Sequence, residues 1–252
     1  MWEWLLSPID PARAHDVGLA LSWHGRAMVV AWGGLAPLAV LIARFFKILP
    51  GQDWPRVLDS KLWWRTHWVG QTCVLILTIF GLYLILPRDP GTVSLHGWLG
   101  YSVVAGLVLQ VGLGVFRGSK GGPTDLRSDG SPRGHHFDMT AWRLTFEVMH
   151  KSIGYGVLFV AAVAILAGLW HANAPNWMWL SLISWWCFLI AVFAVCQKRG
   201  MAVDTYQAIW GDDPALPGNK RSMPGWGVRR MTVGSTSTET RPTNADGELS
   251  NN

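Results

Sequence analysis

HGRAMVVAWGGLAPLAVLIARFFK, residues 24–47, decides the class of fold. Between Arg26 and Arg44 it carries no charge, and it opens on a histidine. A helix needs about 20 mostly apolar residues to cross a bilayer. Extended back to Leu19, this stretch meets that length. Four more stretches qualify, so the expected spans are 19–46, 68–86, 95–116, 148–170 and 177–196. Pro37 is expected to kink the first. Composition agrees: of 252 residues, 50% are hydrophobic and 15% charged, where a soluble domain carries about a quarter charged residues. A soluble globular enzyme is excluded. The fold class read here is all-α, an integral membrane bundle of five transmembrane helices with a four-helix core.

Four regions follow. Residues 1–18 are an interfacial segment, with Trp2 and Trp4 either anchoring it or simply fraying. Residues 19–170 are the core and 171–199 hold the fifth helix. Residues 200–252 are a cytoplasmic tail, partly disordered, whose last part from Thr232 is rich in Ser, Thr and Asn. Pro87, Asp89, Pro90 and Gly91 read as a tight turn, and 118–134 as a mobile loop. Cys73, Cys187 and Cys196 lie inside apolar runs and read as small buried hydrophobes.

Lysine and arginine set the orientation. Arg44, Lys47, Arg56, Lys61 and Arg65 follow span one, Arg117, Lys120, Arg127, Arg133 and Arg143 follow span three, and Lys198 and Arg199 follow span five. The other side has Arg13 and Arg88. The N-terminus is expected outside and the C-terminus in the cytoplasm.

His24, His67, His96 and His150 each sit near the entrance of one of the first four spans. Ionisable groups in a membrane are costly and face the bundle interior. Spans one and three run the same way, which puts His24 and His96 near the outer face. His67 and His150 fall near the inner face. Alternate helices of a four-helix bundle face each other diagonally, so each pair is placed to clamp a flat group. Two imidazoles across one metal suit a six-coordinate haem iron and favour electron transfer over oxygen chemistry. Zinc is the rival, but one histidine pair per end lacks its four donors. Glu147 is the nearest carboxylate, and an interior otherwise free of them argues against an ion transporter.

Glycines follow three of the histidines at helical spacing, Gly70, Gly100 and Gly154, and Gly97 adjoins His96. They give either clearance for a porphyrin or close helix packing. Arg26, Arg44, Lys47, Lys61, Arg65 and Lys151 either pair with an anion such as a haem propionate or serve as orientation signals that snorkel. Trp185, Trp186 and Phe188 read as lipid or partner contacts. His135 and His136 read as a solvated loop pair sooner than a metal or substrate site, and 204–211 (DTYQAIWG) as a short segment docking on the inner surface or on a partner.

The stretch at 24–47, WWRTHWVGQ around His67, LHGWLGYSVVAGLVLQ around His96 and WRLTFEVMHKSIGYGVL around His150 together resemble the cytochrome b561 family. The likeness covers 22–169 and is nearest the type joined to DOMON domains, although no DOMON domain is expected before His24. It implies a core with two haem b groups per chain, bound to iron by His24 with His96 and His67 with His150. Arg26, Gly100, Lys151 and Gly154 are then cofactor-binding, with no catalytic side chain. The function implied is transmembrane electron transfer, an oxidoreductase role of the ascorbate, quinol or ferric reductase type. The alternative is a haem-containing anchor or structural subunit of a larger membrane complex. Expected partners are the lipid bilayer, a small-molecule or protein electron donor and acceptor, and other membrane subunits, with no nucleic acid. The basic inner face suggests a bacterial inner membrane.

Overall fold

A computed structural model describes residues 1–86, 93–117 and 141–231. The turn expected at 87–91, the loop at 118–134, His135, His136 and the tail from Thr232 lie outside them.

Five helices long and apolar enough to span a bilayer dominate the described residues. The first span, Leu19–Phe45, is built of α2 (Leu19–Met28), a π-helical turn (Val29–Leu35) and α3 (Ala36–Phe45). The others are α4 (Lys61–Tyr83), α5 (Leu95–Val115), α6 (Ala141–His171) and α7 (Asn176–Lys198). Short helices α1 (Trp2–Leu6) and α8 (Thr205–Trp210) flank them. The protein is a multi-pass membrane protein of the all-α class. Its large hydrophobics face outward on the spans, as with Ile76, Val108, Phe159 and Ile190. Lipid, not water, is the solvent they meet.

Local sequence starts and stops these helices. The hydroxyls of Ser60 and Ser94 accept the amides of Leu62 and Gly97, capping α4 and α5. Gly200, at φ 66°, ends α7: its amide donates to Gln197 and that of Met201 to Cys196. That is the Schellman pattern, in which the left-handed residue is glycine by preference. At the other end of α7, Asn173 is also left-handed (φ 48°), and its amide group holds the backbone of Asp10 and Arg13. The N-terminal segment is thereby fastened to the turn between α6 and α7.

The first span packs on α4 and α6, and α5 packs on α6. Ala31, Trp32, Ala36, Val74, Val103, Leu107, Ala161, Ile165 and Leu182 form the central core. The irregular turn has a cause in Pro37, which has no amide hydrogen for the carbonyl four residues back. That carbonyl, on Gly33, instead accepts the indole N–H groups of both Trp185 (3.1 Å) and Trp186 (3.0 Å) from α7. These two tryptophans, expected against lipid or a partner, are the fastening of the fifth helix. Phe188 is exposed, as expected.

The helical composition of 140–147 extends the fourth span as expected, but the setting of Glu147 was not foreseen. The span is one continuous helix from Ala141, and Glu147 within it is buried between Arg143 and Lys151. The interior is therefore not free of carboxylates. Residues 200–231 are folded as well. Asp204 caps α8, whose Tyr206, Gln207 and Ala208 are buried.

Candidate haem-binding site

Two pairs of histidines meet inside the bundle. His24 of α2 and His96 of α5 have ring centroids 6.2 Å apart, with perpendicular planes. His67 of α4 and His150 of α6 stand 6.1 Å apart at 77°. A metal between two imidazoles, with metal–nitrogen bonds of about 2 Å on either side, needs a centroid separation of about 6 Å. Each pair joins alternate spans.

The His24 and His96 rings are held by backbone. His24 Nδ1 lies 2.9 Å from the Gly81 carbonyl, and His96 Nδ1 lies 2.9 Å from the Ala164 carbonyl. A carbonyl only accepts, so each Nδ1 bears the proton and each Nε2 the lone pair a metal takes. Glycine lets the helices come this close. A Cβ at Gly168 would stand 2.9 Å from His96 Cε1, and one at Gly81 2.5 Å from Met28 and 3.5 Å from His24 Nδ1.

At the His67–His150 pair, Phe146 stacks on His150 at 5.0 Å. The Nδ1 atoms of His67 and His150 are buried without a hydrogen bond, and the Ala39 carbonyl lies beside the His67 ring outside bonding geometry. The triad Arg143, Glu147 and Lys151 climbs α6 next to His150, with Arg143 and Glu147 each only 4% exposed.

The two levels are related by a repeated offset. From His67 to Gly81 and from His150 to Ala164 are fourteen residues in each case. Fourteen residues of α-helix rise about 21 Å, against a hydrocarbon core of about 30 Å. One pair thus lies toward each face, with the central core between them.

Other expected residues divide. Gly100 has open space where a Cβ would stand, and Gly154 lies against Gln110. Gly70 meets Ala39 and Gly97 meets Val93, which is close packing. Arg26 stacks over Trp23, 5.2 Å from its ring, and is exposed. Lys151 donates to Glu147 and to the Pro224 carbonyl. Arg44 donates to Tyr155, Gln197 and the Trp226 carbonyl, and Lys47 to the carbonyls of Arg44 and Val203.

No group of three or more metal-ligating side chains occurs among the described residues. Two half-buried imidazoles per site, with ring centroids 6.2 and 6.1 Å apart, leave tetrahedral zinc unsatisfied. They suit a metal whose other positions are already filled, as in haem.

Residues 23–141 match the family model of eukaryotic cytochrome b561. That segment belongs to the cytochrome b561 family. The match contains His24, His67 and His96 and stops short of His150. The chain is also similar to human ferric-chelate reductase 1, 29% identical over 166 residues, 65% of this chain and 24% of that protein. The Bos taurus ferric-chelate reductase 1 is 29% identical over 155 residues, 60% of this chain and 22% of the other. A cytochrome b561, DM13 and DOMON domain-containing protein of Arabidopsis thaliana is 24% identical over 163 residues, 64% and 16% of the two chains. The chain thus spans a quarter or less of the length of these relatives. They are animal and plant proteins, so the bacterial membrane expected from the basic inner face finds no support in them. No solved structure matches. Cytochrome b561 proteins bind haem b, and kinship with them supports electron transfer across a membrane in general.

Proposed function

We propose that this cytochrome b561 chain conducts electrons across the membrane by way of two haem b groups, one held by His24 and His96 and one by His67 and His150. The observation that carries the reading is the equal spacing of two separate ring pairs, 6.2 and 6.1 Å, at two levels of one bundle. A haem bound at each pair supplies a one-electron iron couple with both axial positions filled.

The chain's own residues do the rest. The carbonyls of Gly81 and Ala164 orient the outer imidazoles and raise their basicity. Trp32, Val74, Leu107 and Ala161 keep the space between the levels dry. Gly100 and Gly154 keep bulk away from the helix faces beside His96 and His150, and Arg26 and Lys151 bring positive charge to the two ends. The basic inner loops set the N-terminus outside. Ferric iron is one acceptor class, on the strength of the reductases to which the chain is similar.

Sealed vesicles holding the purified protein test this, with a reductant inside and an impermeant oxidant outside. His67→Ala and His24→Ala should each remove about one haem per chain and abolish transfer. Transfer that survives either loss unchanged overturns the relay.

A further inference from the structure

On the inner side of the bundle lies a cavity of about 840 Å³ with no histidine in its lining. It sits between α6, the ends of α3 and α7, and the strand of chain at 221–226. Three cations line it, Arg44, Lys151 and Arg221, and no acidic side chain does. Ser152, Tyr155 and Ser222 add hydroxyls. A second, smaller groove of about 190 Å³ adjoins it and shares Arg44, Tyr155 and Phe193. Apart from Arg44 and Tyr155 that groove is apolar, lined by residues such as Val40, Leu158 and Ile190 of three membrane spans.

We infer that this composite cavity binds one anionic phospholipid, its phosphate among Arg44, Lys151 and Arg221 and an acyl chain in the groove between α3, α6 and α7. Three features favour that occupant. Charge selects an anion, because Glu147 offsets only part of the positive charge of Lys151 and Arg143. Arg44 uses its two terminal nitrogens on Tyr155, Gln197 and Trp226 but keeps its Nε buried without an acceptor. An arginine so placed suits a phosphate oxygen. Shape selects an amphiphile, since a soluble anion leaves the apolar extension unused. Depth selects a lipid as well: Arg44 ends a membrane span, and the exposed Trp226 at the rim has the character of an interfacial anchor. The cytoplasmic leaflet, where the basic loops belong, is where anionic lipids concentrate.

The site borders the proposed haem region at Lys151 but is otherwise distinct from it. Tyr155 lies five residues beyond His150, about 140° round the helix, and no histidine lines either part of the cavity.

Native mass spectrometry of the full chain, delipidated and then titrated with phosphatidylglycerol or phosphatidylcholine, reads the binding directly. One phosphatidylglycerol should bind at least tenfold more tightly than phosphatidylcholine. Arg44→Gln should weaken it tenfold or more. So should Ile190→Trp, which fills the groove from an exposed position and leaves the cations in place. The thermal transition of each variant without lipid confirms folding. Equal affinity for the two lipids overturns the inference. So does glycerol phosphate binding as tightly as the whole lipid, or a neutral quinone displacing it at equal concentration.

Discussion

His24 and His96 each commit Nδ1 to a backbone carbonyl of a neighbouring span, which turns a mobile ring into a directed donor. The neighbouring glycines make this possible, and they allow a sharp test. Gly168→Ala puts a methyl 2.9 Å from the His96 ring. Overpacking of this kind costs about 1–3 kcal/mol. Its signature should be local: electron paramagnetic resonance of the oxidised protein should show the outer low-spin signal altered and the inner one intact. Two unchanged signals contradict the assigned role of Gly168. Gly100→Ala makes the complementary case, because nothing lies within 4 Å of the added methyl. The haem-free protein should melt as before while haem content falls; undiminished haem content removes Gly100 from the site. The four histidines were legible in the sequence because a titratable side chain in an apolar run is costly and therefore conspicuous. Their carbonyl partners were not, since every residue has one and only the packing of the helices selects Gly81 and Ala164. Gly168 was hidden for the same reason, among other glycines whose spacing looked equally apt. The burial of Glu147 was missed because the cations that pay for it, Arg143 and Lys151, read as loop and interface charges.

At the scale of elements, the spans were readable from hydropathy alone, whereas their fastening was not. Pro37 announced an irregularity in the first span but not its consequence, a Gly33 carbonyl left for a neighbour to satisfy. In hydrocarbon no water can do so, and two indoles of α7 do. Either indole suffices, so Trp185→Phe and Trp186→Phe should each lower the melting temperature little. The double variant leaves a buried acceptor unmet, at about 1–3 kcal/mol, and should be destabilised by clearly more than the sum of the singles. Strict additivity, measured by thermal unfolding in detergent, rules out the shared acceptor. The same capture explains why tryptophans that look like lipid contacts belong to the core contact of the fifth helix. Sequence gives their composition, but only the rotation of α7 tells which face they occupy.

For the whole molecule, residues 200–231 close the end of the bundle beside His67 and His150, in a region where the sequence announced one short docking segment at 204–211 and no apolar period. Polar contacts rather than apolar periodicity hold them. Asp204 meets Arg230, Gln207 holds the backbone of Met231, and Lys47 reaches the Val203 carbonyl from the end of the first span. Such long-range pairs leave no pattern along the chain. They do leave a titration. Burial first, and then the charge of Lys151, push the Lys47 ammonium down to about 7 from its ordinary 10.5, against the pull of Glu147 and Asp204. Between those values the unfolded chain binds more protons than the folded one, so stability rises with pH across that window. Wild type should gain more between pH 7 and pH 10 than Lys47→Met, by thermal unfolding; equal gains mean that Lys47 is not the group responsible. The joint placement of the two histidine pairs is the property on which the proposed function depends, and haem content reads it most directly. Full-length protein purified from haem-replete cells, assayed for haem b against protein mass and by its reduced-minus-oxidised visible spectrum, should carry two low-spin haems per chain. One haem per chain, or a high-spin spectrum with an open axial position, would contradict it.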